Sequence, residues 1–237
     1  MTKNIVVLKN VHKIYDPNGV RVHALRGIDL EVREGEMLAI MGPSGCGKST
    51  LLNLLGGIDI PTEGSIIING VDITALSDAE KTKFRRDNIG YIFQLFNLLD
   101  FLTAVENVAL PLLLQGYTMS AAAEEAKMLL RQLGLGDRIY HYPNQLSGGQ
   151  AQRVAVARAL MTHPAIILGD EPTGDLDTNT SLDIMALFRR INKQNKQTLI
   201  VVTHSRMIAE KCDRIVHIED GKIIREEVVQ SAKEEVV

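Results

Sequence analysis

The sequence has no basic excess. Lys and Arg number 26 against 29 Asp and Glu and are scattered along the chain, so the stripe of positive charge that nucleic-acid binding uses is missing, and neither DNA nor RNA is an expected partner. Cysteine is scarce as well. Cys46 and Cys212 stand far apart with no C-x-x-C pair, which excludes a disulfide framework or a zinc site and fits a reducing cytosol. No apolar run approaches the roughly 20 residues of a membrane span. The richest one, Val108 to Leu114, is short and broken by Pro111. Between Met1 and the apolar alternation of Ile5 to Leu8 there is no secretory hydrophobic region or cleavage site, so the chain is expected to stay unexported and to meet a membrane only through a partner. Internal repeats and low-complexity stretches are absent too. With 45% hydrophobic residues over 237 positions, one large globular domain is expected.

What is present begins as β structure. Ile28, Leu30 and Val32 alternate, and Ser65 to Ile68 meets Val71 to Ile73 across Asn69-Gly70, a favoured hairpin turn, so these segments are expected to form a small antiparallel sheet. From about Ser120 the period becomes helical, with Ala122, Ala126, Leu129 and Leu133 on one face, and later Ile184, Leu187, Phe188 and Ile191 on another. The charged tail from Glu226 to Val237 lacks turn signals and reads as a fraying terminus. Three apolar segments, Met37 to Met41, Ala165 to Leu168 and Thr198 to Val202, read as strands buried on both faces of a parallel sheet. Ligands of such sheets lie beyond the carboxyl ends of the strands, so the polar residues that follow each segment should converge.

The first segment runs into Gly42-Pro43-Ser44-Gly45-Cys46-Gly47-Lys48-Ser49-Thr50 and then an apolar helix, matching G-x-x-x-x-G-K-[ST] in its strand, loop and helix setting. Glycines let backbone N–H groups curl around phosphate, and the helix N-terminus adds positive potential. Lys48 is expected at the β- and γ-phosphates and Ser49 at Mg2+. The second segment ends in Asp170-Glu171; Asp170 is assigned to the metal and Glu171 to the attacking water as general base. The third ends in Thr203-His204. A lone histidine is commonly structural, but beside Glu171 it becomes a γ-phosphate contact. Gln94 follows the strand-like Gly90 to Phe93 and carries an amide suited to metal and water, though a solvated loop glutamine is an equal reading. Ser147 opens a helix at Leu146-Ser147-Gly148-Gly149-Gln150, either as an ordinary N-cap or as a second anion-binding helix start. Cys46 is either a thiolate favoured by the helix N-terminus or an inert buried thiol.

Read in order, Tyr15, Gly42 to Thr50, Gln94, Leu146 to Gln150, Ile166 to Glu171, Gly174 to Asp177 and His204 resemble the nucleotide-binding domain of ABC transporters over essentially the whole chain. The resemblance implies an α/β fold, a P-loop NTPase (RecA-like) core with a small antiparallel β subdomain and a helical signature subdomain. Residues 1–237 form one ABC ATPase domain on this reading, with the core in 1–94 and 161–237 and the helical part in 95–160. It further implies that Tyr15 stacks on adenine, that Ser147, Gly148, Gly149 and Gln150 close over ATP held by a second copy, and that Asp177 lies at the dimer seam. ATP and Mg2+ are the implied cofactors. A homodimer in the ATP-bound state and an integral membrane permease are the implied partners, which places the chain on the cytoplasmic face of the cell membrane. Met41 to Gly64, Arg85 to Gly90, Phe96 to Leu99, Leu102 to Val108 and Asp170 to Gly174 look most like the lipoprotein-release and macrolide-efflux type, from which Leu95 and Gly169 depart mildly. A permease-like complex that transmits force without moving cargo is the alternative.

Overall fold

The computed structural model describes residues 3–16 and 19–229. β1 (Asn4–Tyr15) and β2 (Val22–Arg33) pair antiparallel, and β4 (Glu63–Ile68) joins the other edge of β1. Along β2 the alternation is literal: Ile28, Leu30 and Val32 are buried while Asp29, Glu31 and Arg33 are exposed. β4 turns into β5 (Val71–Asp72) through Asn69 and Gly70 with φ of 49° and 81°, and Ile68 pairs with Val71. Both turn residues are left-handed, as a two-residue turn matched to strand twist requires. The antiparallel sheet therefore reads β2-β1-β4-β5.

The second sheet has six strands in the order β10-β9-β3-β8-β7-β6. Its centre is β3 (Met37–Met41), β8 (Thr198–Val202) and β7 (Ile166–Asp170), all parallel, with β6 (Ile89–Ile92) parallel beyond β7. Period-two geometry splits β3 between two cores. Met37 and Ala39 pack with the helices on one side, whereas Leu38 and Ile40 pack with the antiparallel sheet on the other. Burial on both faces explains why these strands read as unbroken apolar runs. Each such Ile or Leu contributes about 1.5–3 kcal/mol of burial, so polar residues concentrate where the strands stop.

β9 (Arg214–Glu219) runs parallel to β3, and β10 (Lys222–Val228) returns antiparallel to it. The expectation of a fraying tail from Glu226 fails here. Glu226, Glu227 and Val228 are strand residues, and the acids are bound: Glu226 to Arg214 at 2.7 Å and Glu227 to Arg206 at 2.8 Å. Charge alternation hid the strand because its side chains are satisfied by surface ion pairs and not by an apolar core. The remainder of that expectation, 230–237, lies outside the described residues.

α1 (Lys48–Leu55) follows β3, and α2 (Asp78–Asn88) precedes β6. Three helices then come in succession: α3 (Ala104–Leu114), α4 (Met119–Gln132) and α5 (Gly148–Leu160). Pro111 does not end α3, which runs on to Leu114; proline costs one main-chain hydrogen bond, and the buried Val108, Ala109 and Leu112 outweigh it. In α4 the buried residues are Ala122, Ala126 and Leu130, and Leu129 packs partly buried against the same core, so Leu130 joins the expected face. α6 (Thr178–Asn195) buries Ile184, Leu187, Phe188 and Ile191, and α7 (Arg206–Ala209) is a single turn after β8. No helix among the described residues is long and apolar enough to cross a membrane.

Candidate functional site

The carboxyl ends of β3, β8, β7 and β6 are neighbours on one sheet edge, and each opens into residues that the sequence marks as chemical. After β3, the loop from Gly42 to Gly47 is shaped by close approach. A Cβ at Gly42 would lie 2.1 Å from the carbonyl of Ile218 and 2.6 Å from Cys46 Sγ, and Gly47, at φ 107°, has no room beside the carbonyl of Ala24. Gly47 caps α1 without a side-chain acceptor, and the first turn carries no acid. The first N–H groups of α1 are therefore left for an anion. Lys48 is buried and donates to the carbonyls of Gly42 and Pro43 at 2.8 and 2.7 Å, so its ammonium crosses the mouth of the loop. Cys46 is buried, with Sγ 3.8 Å from Lys48 Nζ.

β7 delivers Asp170 and Glu171 to different surroundings. Burial, then the charge of Glu171, push the Asp170 carboxyl up, while Lys48 and a hydrogen bond from Ser49 pull it back. This joins Asp170 to the start of α1. Glu171 is left-handed at φ 46°, and its N–H donates to the Val202 carbonyl at 3.0 Å. That strained conformation turns its carboxylate toward β8, where it meets the His204 Nδ1 at 2.9 Å. Glu171 is mostly covered and His204 is 74% exposed, so the imidazole faces open space with its other nitrogen.

Gln94, beyond β6, sits elsewhere in the contact network. Its amide donates to Asp175 Oδ1 at 3.1 Å, and a Cβ at Gly174 would lie 3.1 Å from the same nitrogen. Asp175, 81 residues further on, is a partner that sequence spacing had no means of supplying. Tyr15 likewise has unforeseen company: its hydroxyl donates to Asp59 at 2.7 Å, and Lys13, which pairs with Asp59 at 2.6 Å, lies over its ring at 4.8 Å.

Ser147 caps α5 with a reciprocal pair: its Oγ accepts from the Gln150 N–H, and its own N–H donates to Gln150 Oε1 at 2.9 Å. Gly149 is pressed against α6, where a Cβ would stand 2.6 Å from Thr180 Cγ2. Asp177 caps α6, accepting from the N–H groups of Asn179 and Thr180 and from the Thr180 hydroxyl. A cleft of about 470 Å3 brings Ser147, Gly148, Gly149 and Gln150 together with Asp175, Leu176 and Asp177. None of the described residues lining it belongs to the Gly42 to Thr50 loop. The starts of α1 and α5 thus do not share a cleft.

The family model described as ABC transporter matches residues 25–174. A lipoprotein-releasing system ATP-binding protein LolD of Xanthomonas campestris pv. campestris is 44% identical, over 92% of each chain. The macrolide export ATP-binding/permease protein MacB of Rhodopirellula baltica is 45% identical over 96% of this chain and 34% of its own length. Among solved structures, the dimer of the ATP-binding cassette MJ0796 of Methanocaldococcus jannaschii, in a post-hydrolysis state bound to ADP and Pi, superposes with a TM-score of 0.87 at 45% identity, covering 95% of this chain and 99% of that one.

Proposed function

The chain belongs to the ABC transporter family, and on that footing we propose that it hydrolyses Mg-ATP as a head-to-tail dimer to drive a separate membrane permease of the lipoprotein-release or efflux type. One observation carries the dimer: the Ser147 cleft contains no residue of the phosphate loop. A single chain cannot close its own two phosphate-seeking sites over one nucleotide. A second copy, turned head to tail, brings the Ser147 helix start of each onto the loop of the other.

In this reading the uncapped start of α1 and Lys48 hold the β- and γ-phosphates, and Tyr15, steadied by Asp59, covers the base. Three donors fit Mg2+: the Ser49 hydroxyl and the Asp170 carboxylate, which meet at the loop, and the amide oxygen of Gln94 are hard oxygens, and Mg2+ binds through few protein ligands plus substrate phosphates. Bound there, the cation would neutralise phosphate charge. Glu171 accepts a proton from the attacking water, and His204, held by that carboxylate, reaches the γ-phosphate with its outward nitrogen. Gln94 holds Asp175 with its amide nitrogen and has its amide oxygen left for the metal, which ties site occupancy to the segment ending at Asp177. We assign 95–160 to a helical subdomain and the rest of the chain to the nucleotide-binding core.

The permease side follows from the residues after Gln94. Leu95, Leu99 and Phe101 are exposed, while Leu98 packs inward. This apolar patch, directly after Gln94, suits a short cytoplasmic helix of the permease and places the chain on the cytoplasmic face of the membrane. The test of the ATPase reading is Glu171→Gln, which should bind ATP, fail to hydrolyse it, and run as a dimer by light scattering with ATP but not with ADP. A monomer in ATP would leave only a one-subunit ATPase. For docking, Leu99→Glu should keep soluble ATPase activity and lose sedimentation with permease-bearing membranes; retained sedimentation moves the docking surface elsewhere.

A further inference from the structure

Arg158, in the last turn of α5, is a partly buried cation with an unusual set of acceptors. Among the described residues no carboxylate lies within ion-pair distance; the guanidinium donates instead to the main-chain carbonyls of Phe96 and Asn97, at 2.8 and 2.5 Å. Burial disfavours its charge, with no acid to offset that penalty. An arginine held this way acts through geometry, because its planar fork fixes two acceptors at once.

The two acceptors belong to the strained part of the chain. Phe96 and Asn97 are consecutive non-glycine residues in the left-handed region, at φ 59° and 49°. Such a pair persists only where its surroundings enforce it. The corner is tight: the Phe96 N–H donates to the Phe93 carbonyl, and the Asn97 N–H to the Leu95 carbonyl. It therefore sets where the chain leaves Gln94. The same corner also touches the other end of α5, since a Cβ at Gly148 would lie 3.9 Å from Phe96 Cζ and 3.1 Å from Leu176 Cδ2. Arg158 grips the Phe96 main chain while the Phe96 ring rests by the helix start that Ser147 caps.

We propose that Arg158 is a positioning residue for ATP hydrolysis: by holding the left-handed Phe96–Asn97 corner onto α5, it makes the Gln94 amide of one site and the Ser147 helix start presented to the other site move as one rigid body. This rests on the assignment of Gln94 to the chain's own ATP and Ser147 to the partner's. A stiff connection is what lets γ-phosphate binding at one loop alter closure at the second site, because packed elements switch between discrete arrangements and transmit little when loose.

Arg158→Met keeps the length and apolar stem and removes every donor. Its ATP affinity at the phosphate loop should match wild type while kcat falls about 10- to 100-fold, the scale of a misplaced catalytic group. Arg158→Lys, which can still donate to carbonyls, should recover part of kcat. In a Glu171→Gln background, Arg158→Met should abolish the ATP-dependent dimer. The Glu171→Gln parent is the control: if it does not dimerise, the shared-site reading fails, whereas a parent and double variant that dimerise equally, with kcat of Arg158→Met unchanged, overturn the role of Arg158 alone. A second pair covers a failure of Arg158→Met to fold. Asn97 is exposed, so Asn97→Gly, which accepts the left-handed corner, should keep kcat, and Asn97→Val, which resists it, should lose kcat with ATP affinity intact. Equal kcat in the glycine and valine variants overturns the proposal.

Discussion

The Glu171 carboxylate accepts a hydrogen bond from Nδ1 of His204 across 2.9 Å, joining the ends of two neighbouring strands, β7 and β8. The left-handed turn at Glu171 makes that contact, since a residue continuing β7 in extended form would point its side chain across the sheet and not along its edge. If Glu171 is the base and His204 is oriented by it, Glu171→Gln should lower kcat by about 100-fold or more, the scale of a lost general base, with ATP affinity retained. His204→Ala should lower kcat with a smaller effect on ATP affinity than Lys48→Ala has. Single-turnover hydrolysis with calorimetric binding separates these outcomes; a His204→Ala variant with wild-type kcat would remove the histidine from the chemistry.

Lys48 donates to two loop carbonyls, Gly42 and Pro43, which hold its ammonium across the mouth of the loop. Lys48→Ala should abolish tight ATP binding, because the backbone N–H groups alone cannot supply the missing charge. Calorimetry that returns an unchanged affinity would contradict this assignment.

The strand ends and the glycine-rich loop after β3 were legible in the sequence for a plain reason. Strands buried on both faces must be apolar throughout, so Asp170, Thr203 and Gly42 stand out as abrupt endings. Pairings across the fold were not legible. Gln94 with Asp175, Tyr15 with Asp59, and Arg158 with Phe96 and Asn97 depend on which elements are adjacent, and no local period encodes that. β10 escaped notice because its acids, Glu226 and Glu227, are satisfied by Arg214, Arg206, Arg225 and His217 and leave no apolar alternation to read.

The two cysteines differ in a way spacing does not show. Burial pushes the Cys212 thiol up to about 12, so at pH 8 it has almost no thiolate. Cys46 is covered too, but by a loop that must admit nucleotide. A small alkylating reagent should modify Cys46 slowly in the native protein, ATP should suppress that reaction, and Cys212 should react only in denaturant. Peptide mapping after timed labelling decides it, and early modification of Cys212 would count against the packing described.

Glu227 is held down to about 2, from an ordinary 4.5, first by its hydrogen bond from Arg206 and then by the charges of Arg206, Arg225 and His217. A depressed carboxylate adds stability above its unfolded value and loses it as pH falls toward its folded one. Glu227→Gln should therefore lower Tm at neutral pH, and the gap to wild type should shrink from about pH 4.5 downward and close near pH 2. A gap that stays constant through that window would mean the side chain acts by packing and not by charge.

Ser147 offers the sharpest separation of a cap from a shared site. As a cap it accepts the Gln150 N–H, and losing that bond costs about 1 kcal/mol, a small change in Tm that leaves each chain's own phosphate loop untouched. As part of a shared site it must lie against the nucleotide of a second copy. Ser147→Arg places bulk and a long side chain in the cleft beside Asp177, where Gly149 already abuts Thr180 with no space to yield. Added to Glu171→Gln, it should return the ATP-bound dimer to monomer, with ATP still held at each chain's own loop but at the weaker affinity of a single copy. Ser147→Ala in the same background removes the cap without the bulk and should leave a weakened dimer. Light scattering with ATP and with ADP reads all three variants. A dimer that survives Ser147→Arg, or forms equally with ADP, would confine Ser147 to capping α5 and leave the phosphate loop to work within a single chain.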